Sequence, residues 1–160
     1  MGDPAQCRQL VQEAVAVFST LDVARNNAGI TGELSLPADY SLEGWQHIIN
    51  VNLNSVFFCL KYGLEVMLKQ GRGAIINMSS ILGQVGTPTP AGYVTAKHGL
   101  IDLTQTAAQG YAAQGIRRRG AGLHRQAAAR GVFGRSRASS DKASFVTGAY
   151  YPVEGGYLAR

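Results

Sequence analysis

Apolar side chains recur at helical spacing in three stretches of the chain, which predicts three helices. The first helix covers residues 5–18, the second 42–70 and the third 91–114. Ser41 is the expected N-cap of the second helix, and Glu43 adds a negative charge in its first turn. Gly71 follows its last turn. The predicted inward-facing residues of the first helix are Cys7, Leu10, Val11, Ala14, Val15 and Phe18, and those of the second are Ile49, Leu53, Val56, Phe57, Leu60, Leu64 and Met67.

Short apolar runs between these helices predict strands at 21–25, 74–78 and 145–151. Helices that alternate with nearly all-apolar strands are typical of a parallel sheet covered on both faces. The expected fold is therefore α/β, a Rossmann-like, doubly wound parallel sheet. Such sheets bind ligands beyond the carboxyl ends of their strands. Asn26 and the pair Ser79–Ser80 come directly after predicted strands, so they are candidates for a site.

Tyr93 and Lys97 are four residues apart on the third predicted helix and therefore share one face. A free phenol titrates near ~10, and a neighbouring lysine cation favours its deprotonated form, which suits proton transfer to a carbonyl or from an alcohol. Ser80 could hydrogen-bond the same substrate oxygen. Asn52 lies beside the apolar stripe of the second helix, so its amide should serve a partner or a water. Each feature alone is more often structural; their combination and order favour catalysis.

The size and composition are those of one globular domain, with 160 residues, 46% hydrophobic and 16% charged. We expect neither a membrane-spanning segment nor a secretory signal, and hence a cytoplasmic location. The two cysteines, Cys7 and Cys59, are far apart and have no metal-type spacing, so we expect two idle thiols and no metal site.

The net charge of +5 comes from one short stretch. It contains seven of the fifteen basic residues, without which eight basic residues would face ten acidic ones. These seven are Arg117, Arg118, Arg119, Arg125, Arg130, Arg135 and Arg137. A basic loop that binds nucleic acid is one interpretation, but only Phe133 supplies an aromatic side chain there. We therefore regard nucleic-acid binding as the weaker hypothesis.

Five motifs, in order, resemble those of the short-chain dehydrogenase/reductase family. They are Asn26-Asn27-Ala28-Gly29, Val51-Asn52-Leu53, Asn77-Met78-Ser79-Ser80, Tyr93-Val94-Thr95-Ala96-Lys97 and the closing segment 146–157. The resemblance covers about residues 3–117 and again 141–160. It implies an oxidoreductase that interconverts a secondary alcohol and a ketone with NAD or NADP.

The resemblance also implies a role for each motif residue. Tyr93 would be the general acid/base, and Lys97 would assist it and hold the nicotinamide ribose. Ser80 would orient the carbonyl and stabilise its developing charge. Asn52 would hold a water that links Lys97 to solvent. The backbone of Asn26, Ala28 and Gly29 would line the adenosine-ribose region of the cofactor.

Three departures from the family pattern lead us to expect impaired activity. No glycine-rich turn for the pyrophosphate precedes the first helix, so we expect an incomplete domain over 1–160 that lacks the first βαβ strands. Arg25 places a charge where the family has an apolar strand residue. The segment 117–140, expected to be irregular, stands where the family has its sixth strand and a Pro-Gly turn. A shifted reading frame is our hypothesis for it, because suitable codons for 120–129 read one base later encode GPGYIDRPLL.

Two function classes therefore remain open. One is a short-chain oxidoreductase acting on a small alcohol or ketone. The other is a non-catalytic remnant or assembly partner. In either case we expect a homo-oligomer formed through helices 42–70 and 91–114, because these resemble the helices that pack between subunits in the family.

Overall fold

A computed structural model describes residues 2–111 and the backbone of residues 126–127. Three parallel strands lie side by side in the order in which they follow one another along the chain. None of the described helices has the length and apolar character that crossing a bilayer would require. The helices and strands are α1 (Pro4–Phe18), β1 (Val23–Asn26), α2 (Leu42–Ile49), a π-helical segment (Asn50–Asn54), α3 (Ser55–Gln70), β2 (Ala74–Met78), α4 (Ala91–Tyr111) and β3 (Gln126–Ala127).

Helix α1 is capped at both ends but only partly covered. Asp3 accepts a hydrogen bond from the Ala5 amide at 2.8 Å, and Ser19 ends the helix in the left-handed region at φ 62°. Cys7 and Val11 are buried, as predicted. Leu10 and Phe18 are exposed, so their predicted inward position is wrong. Among the described elements, α1 packs mainly on α3, which covers only a narrow strip of its surface.

The predicted helix 42–70 is three consecutive segments with a π-helical turn in the middle. Its predicted caps are confirmed: Ser41 accepts a hydrogen bond from the Gly44 amide at 2.9 Å, and Gly71 ends α3 at φ 68°. The π turn adds a residue to one helical turn and so changes which residues face inward. Phe57 is 46% exposed, against our prediction, whereas Ile48 is fully buried.

The rest of the predicted stripe is confirmed in part. Ile49, at the end of α2, and Leu53, in the π-helical segment, are only half-buried. The buried members of the stripe are Val56, Leu60, Leu64 and Met67. Three of these, Leu60, Leu64 and Met67, form a core cluster with Ile75 of β2. Helix α3 is thereby fixed against the sheet.

Strand β2 is the centre of the described sheet. It pairs with β1 from Val23↔Ala74 to Asn26↔Asn77 and with β3 at Asn77↔Gln126. Successive side chains of a strand point to opposite faces, and all five residues of β2 are buried. Both faces of the sheet are therefore covered at β2, and the predicted parallel α/β fold is confirmed.

The element boundaries agree with the predictions to within a few residues. Strand 74–78 is as predicted, while β1 begins and ends slightly later than 21–25. Helix α4 is described up to Tyr111, so residues 112–114 of its prediction lie outside the described residues. The same holds for strand 145–151, the closing segment 152–157, and segment 117–140 apart from the two residues of β3.

Candidate active site

Polar residues gather where β1 and β2 end, at one edge of the parallel sheet. Asn26 is the last residue of β1 and pairs with Asn77 of β2, which is followed closely by Ser79 and Ser80. A single bridge between Ser35 and Pro90 brings the loop after β1 to the start of α4. The chain segments that carry the predicted site residues therefore converge at the edge where such folds bind ligands.

A chain of side-chain hydrogen bonds runs across this edge from β1 to α4. The Asn26 amide donates to Asn77 Oδ1 at 2.8 Å, and the Asn77 amide donates to Thr104 Oγ1 at 2.7 Å. Thr104 in turn donates to the Leu100 carbonyl at 2.7 Å. Asn77 and Thr104 were not among our predicted site residues. The detectable signal was an asparagine inside an otherwise apolar strand, because a buried amide needs partners.

Asn52 lies in the π-helical segment and is fully buried. Its Oδ1 accepts a hydrogen bond from the Ile30 amide, and its Nδ2 donates to the Ile30 carbonyl, both at 2.8 Å. The prediction that this amide has a partner is confirmed, and the partner is backbone. Asn52 thus ties the loop that follows β1 to the helix, while the implied water at this residue stays a prediction.

Gly29 faces both Asn52 and Lys97. A β-carbon at Gly29 would lie 3.4 Å from Asn52 Oδ1 and 3.6 Å from Lys97 Nζ. A larger side chain would therefore fill the space in front of the lysine. Ala28 precedes it in the same loop and is half-buried. The structure thus brings the loop after β1, the π-helical segment and α4 together around one ammonium group.

Lys97 is only 4% exposed and carries the buried charge of the site. Its Nζ donates to the Met78 carbonyl at 2.8 Å, the single hydrogen-bond acceptor that it has among residues 2–111. Burial lowers the pKa of Lys97 to about 8, because desolvation disfavours the charged amine. The same Nζ lies 5.5 Å from the centre of the Tyr93 ring. An ammonium has three donors, so two remain for other partners.

The turn after β2 is held against α4. Ser79 Oγ donates to the Lys97 carbonyl at 2.7 Å, and a β-carbon at Gly83 would come within 2.8 Å of that same carbonyl. Ser80 is half-buried and accepts a long hydrogen bond from the Leu82 amide at 3.3 Å. Its hydroxyl therefore lies at the carboxyl end of β2, on a turn that close backbone contact keeps in place.

Arg25 is exposed on β1, on the strand face opposite to Asn26. Its guanidinium donates to Asn27 Oδ1 at 3.3 Å. The charge that sets this chain apart from the family pattern therefore does not enter the group of side chains around Lys97. Among residues 2–111, no three His, Cys, Asp or Glu side chains are grouped in a way that could hold a metal ion.

The sequence of residues 1–121 matches the family model described as short chain dehydrogenase. A cyclohexanol dehydrogenase from Acinetobacter sp. (strain SE19) is 45% identical over 115 residues, which are 72% of this chain and 46% of that protein. A 3-oxoacyl-(acyl-carrier-protein) reductase from Staphylococcus aureus is 41% identical over 116 residues, or 72% of this chain and 47% of that protein. The chain thus spans about half the length of these relatives.

Solved structures of similar proteins share the fold over nearly the whole chain. Levodione reductase superimposes with a TM-score of 0.89 and 25% identity, over 99% of this chain and 74% of that one. ElxO with NADP bound gives a TM-score of 0.85 and 26% identity, over 99% and 76% of the two chains. Together with the family match over 1–121, these similarities show that the chain belongs to the short-chain dehydrogenase family, a family of oxidoreductases.

Proposed function

We propose that this chain is a nicotinamide-dependent oxidoreductase that interconverts a secondary alcohol and a ketone. One observation carries the proposal: a buried lysine ammonium, with one hydrogen-bond acceptor among residues 2–111, lies close to both the Tyr93 ring and Gly29. Burying a charge costs free energy. A lysine with a purely structural role would stabilise the fold more if all three of its donors had hydrogen-bond acceptors in the protein. Two donors left over beside a tyrosine fit a site that is completed by a ligand.

The residues around Lys97 fit the ribose of a nicotinamide cofactor. The remaining Nζ donors suit ribose hydroxyl groups, and the absence of a side chain at Gly29 leaves room in front of them. The loop that contains Asn26, Ala28 and Gly29 would line the more distant, adenosine-ribose part. When bound, the nicotinamide would supply or accept the hydride. ElxO, a similar structure, was solved with NADP bound, which supports the cofactor class but leaves NAD and NADP open for this chain.

The protein's own part in the reaction is proton transfer and orientation. In ketone reduction, the Tyr93 hydroxyl gives its proton to the carbonyl oxygen as that oxygen gains negative charge. The Lys97 ammonium, 5.5 Å from the ring centre, stabilises the charge left on the phenol oxygen. The Ser80 hydroxyl donates to the same carbonyl oxygen and orients it. Asn52 keeps the loop with Gly29 in place through Ile30.

Two relatives suggest the substrates to try first. One relative is named for cyclohexanol and the other for 3-oxoacyl groups, and both reactions change a secondary alcohol or ketone carbon. We propose the same reacting group for this chain. Leu34 and Leu36 are exposed on either side of Ser35, which bridges to Pro90 at the start of α4, and we propose that they favour an apolar substituent on the substrate.

The test is reduction of cyclohexanone and of a 3-oxoacyl thioester with NADH and with NADPH, followed at steady state. Replacing Tyr93→Phe removes only the hydroxyl and should lower kcat by roughly 10²–10⁴-fold, the usual contribution of general acid–base catalysis. Tyr62→Phe on α3 makes the same change far from the site and should leave kcat unaltered. A kcat that Tyr93→Phe leaves as high as in the unaltered chain would contradict the proposed role of Tyr93.

A non-catalytic assembly partner is the second candidate, and Phe57 favours testing it. Phe57 lies on α3 with 46% of its surface exposed, beside Phe58. We propose that α3 and α4 form a contact between two copies of the chain. Light scattering would give the mass of a dimer or larger oligomer, and Phe57→Ser would reduce it. An oligomer without any turnover would support this candidate over the enzyme.

A further inference from the structure

The only two cysteines of the chain meet in space although 52 positions separate them. Cys7 lies on α1 and is 1% exposed, while Cys59 lies on α3 and is half-buried. The Cys7 side chain is close enough, across the interface between the two helices, to be one of the groups that raise the pKa of Cys59. We expected two idle thiols because the cysteines are far apart in the sequence. The packing of α1 on α3 brings them close together in the folded chain.

A second contact supports the same placement independently. Cys7 Sγ also lies 4.0 Å from the Ser55 carbonyl oxygen, to which it donates. Ser55 is one helical turn before Cys59, so both are on the side of α3 that faces α1. Both cysteines are thiols in this structure and are not joined by a disulfide. No part of the proposed oxidoreductase site uses them.

We propose that Cys7 and Cys59 are a modification site, at which a low-molecular-weight disulfide oxidises the pair to an intramolecular disulfide that cross-links α1 to α3. Cys59 is the accessible partner and therefore reacts first. Cys7 is buried against it and therefore acts as the resolving thiol. This proposal is independent of the proposed oxidoreductase function.

The reaction consumes one disulfide of the reagent. The Cys59 thiolate attacks one sulfur of that disulfide, a mixed disulfide forms, and one reagent thiol leaves and takes up a proton. The Cys7 thiolate then attacks the Cys59 sulfur, the protein disulfide forms, and the second reagent thiol leaves. Two protein thiols are oxidised and one reagent disulfide is reduced to two thiols.

The Cys7–Cys59 disulfide should form slowly and should stabilise one end of the candidate site. Burial, together with the neighbouring Cys7, raises the pKa of Cys59 to about 12, so little reactive thiolate is present near neutral pH. Once formed, the disulfide closes a loop over 7–59. That loop contains β1, the segment 26–29 and Asn52. The disulfide would therefore restrict the motion of the segments that hold Gly29 against Lys97.

The experiment incubates the full chain with oxidised glutathione over hours and analyses it by intact mass and by non-reducing peptide mapping. We expect a loss of two hydrogen atoms per chain, a peptide linking Cys7 to Cys59, and a higher Tm that dithiothreitol reverses. Cys7→Ser should stop at one glutathione on Cys59. Cys59→Ser should remain unmodified, because Cys7 is 1% exposed.

Three results would overturn the proposal. One is a stable glutathione adduct on Cys59 of the unaltered chain, which would mean that Cys7 does not resolve it. Another is a disulfide between two chains, which would show that Cys59 is an exposed intermolecular site. The last is no reaction while the same chain unfolded in urea reacts fully, since the folded pair would then be inert.

Discussion

The centre of the described sheet and its β1 edge differ in how well they are covered. On β2 and α4, side chains such as Ile76, Leu100 and Lys97 are at most 4% exposed. On α1 and β1, Phe18 is 73% exposed and Val23 is 42% exposed. The proposed catalytic residues Ser80, Tyr93 and Lys97 all belong to the covered side or follow it directly.

This difference indicates which part of the molecule can hold catalytic side chains in fixed positions. Close packing leaves side chains in single arrangements, so a proton-transferring pair is best held where the core is densest. The exposed side contributes the loop 26–30, and that loop is tied back to the core through Asn77 and Asn52. Hydrogen bonds, rather than apolar packing, therefore join the less covered side to the site.

The largest expected effect is on the covered side, at Ile76. This side chain is 1% exposed in the middle of β2. Ile76→Ala should lower the free energy of unfolding by about 2–5 kcal/mol, because it leaves a cavity in a packed core. Ile76→Val should cost about 0.5–1.5 kcal/mol. Urea unfolding measures both, and equal, small losses would mean that β2 is not the core.

Lys97 should make stability depend on pH in the alkaline range. The folded-state pKa of about 8 lies below the ordinary value of 10.5, so the buried charge destabilises the fold fully below pH 8. Between pH 8 and 10.5 the folded state binds fewer protons than the unfolded state, and stability should rise by on the order of 3 kcal/mol.

The pH dependence can be assigned to this lysine by substitution. Lys97→Met should abolish the rise and increase stability at pH 7, while Lys69→Met at an exposed position on α3 should keep it. Unfolding free energies at pH 7, 8, 9 and 10 provide the measurement. A rise that persists in Lys97→Met would place its origin elsewhere in the chain.

Asn52→Ala should cause the next largest loss of stability, because it leaves the backbone amide and carbonyl of Ile30 without their side-chain partner. Leaving such groups unsatisfied costs about 1–3 kcal/mol. Hydrogen exchange at the Ile30 amide should become faster than in the unaltered chain. Unchanged exchange at Ile30 would contradict the view that Asn52 holds the loop.

The smallest effect is expected on the exposed side, at Phe18. Phe18→Ser should change the free energy of unfolding by less than about 0.5 kcal/mol, since the ring is 73% exposed. The same denaturant series measures it. A loss comparable to that of Ile76→Ala would show that α1 is covered in solution, for example by a second chain.

The sequence predicted α1, β1, β2 and α4 and most of the residues that gather at the candidate site, but it predicted neither the π-helical segment nor β3, which lies in the segment 117–140 that we expected to be irregular. Periodicity placed β2 correctly, and local chemistry placed the caps Ser41 and Gly71. Periodicity failed at Phe57, because one π turn shifts the helical phase without any signal in the apolar pattern.

Contacts between distant segments were the part that sequence patterns could not supply. The meeting of Cys7 and Cys59 depends on how α1 packs on α3, and neither helix encodes that alone. The Asn26–Asn77–Thr104 chain of hydrogen bonds has the same origin. By contrast, Tyr93 and Lys97 share one helix, so their proximity followed from helical spacing.

The central claim is that the buried Lys97 ammonium binds a nicotinamide cofactor. A direct measurement of cofactor binding tests this claim best. Fluorescence titration of the full chain with NADH and NADPH should show saturable binding of at least one of them. Lys97→Met should weaken that binding by roughly tenfold or more, since a hydrogen bond to a charged group contributes about 1.5–3 kcal/mol. Lys69→Met should bind like the unaltered chain. No binding at millimolar cofactor, or equal binding in the Lys97→Met variant, would contradict the account.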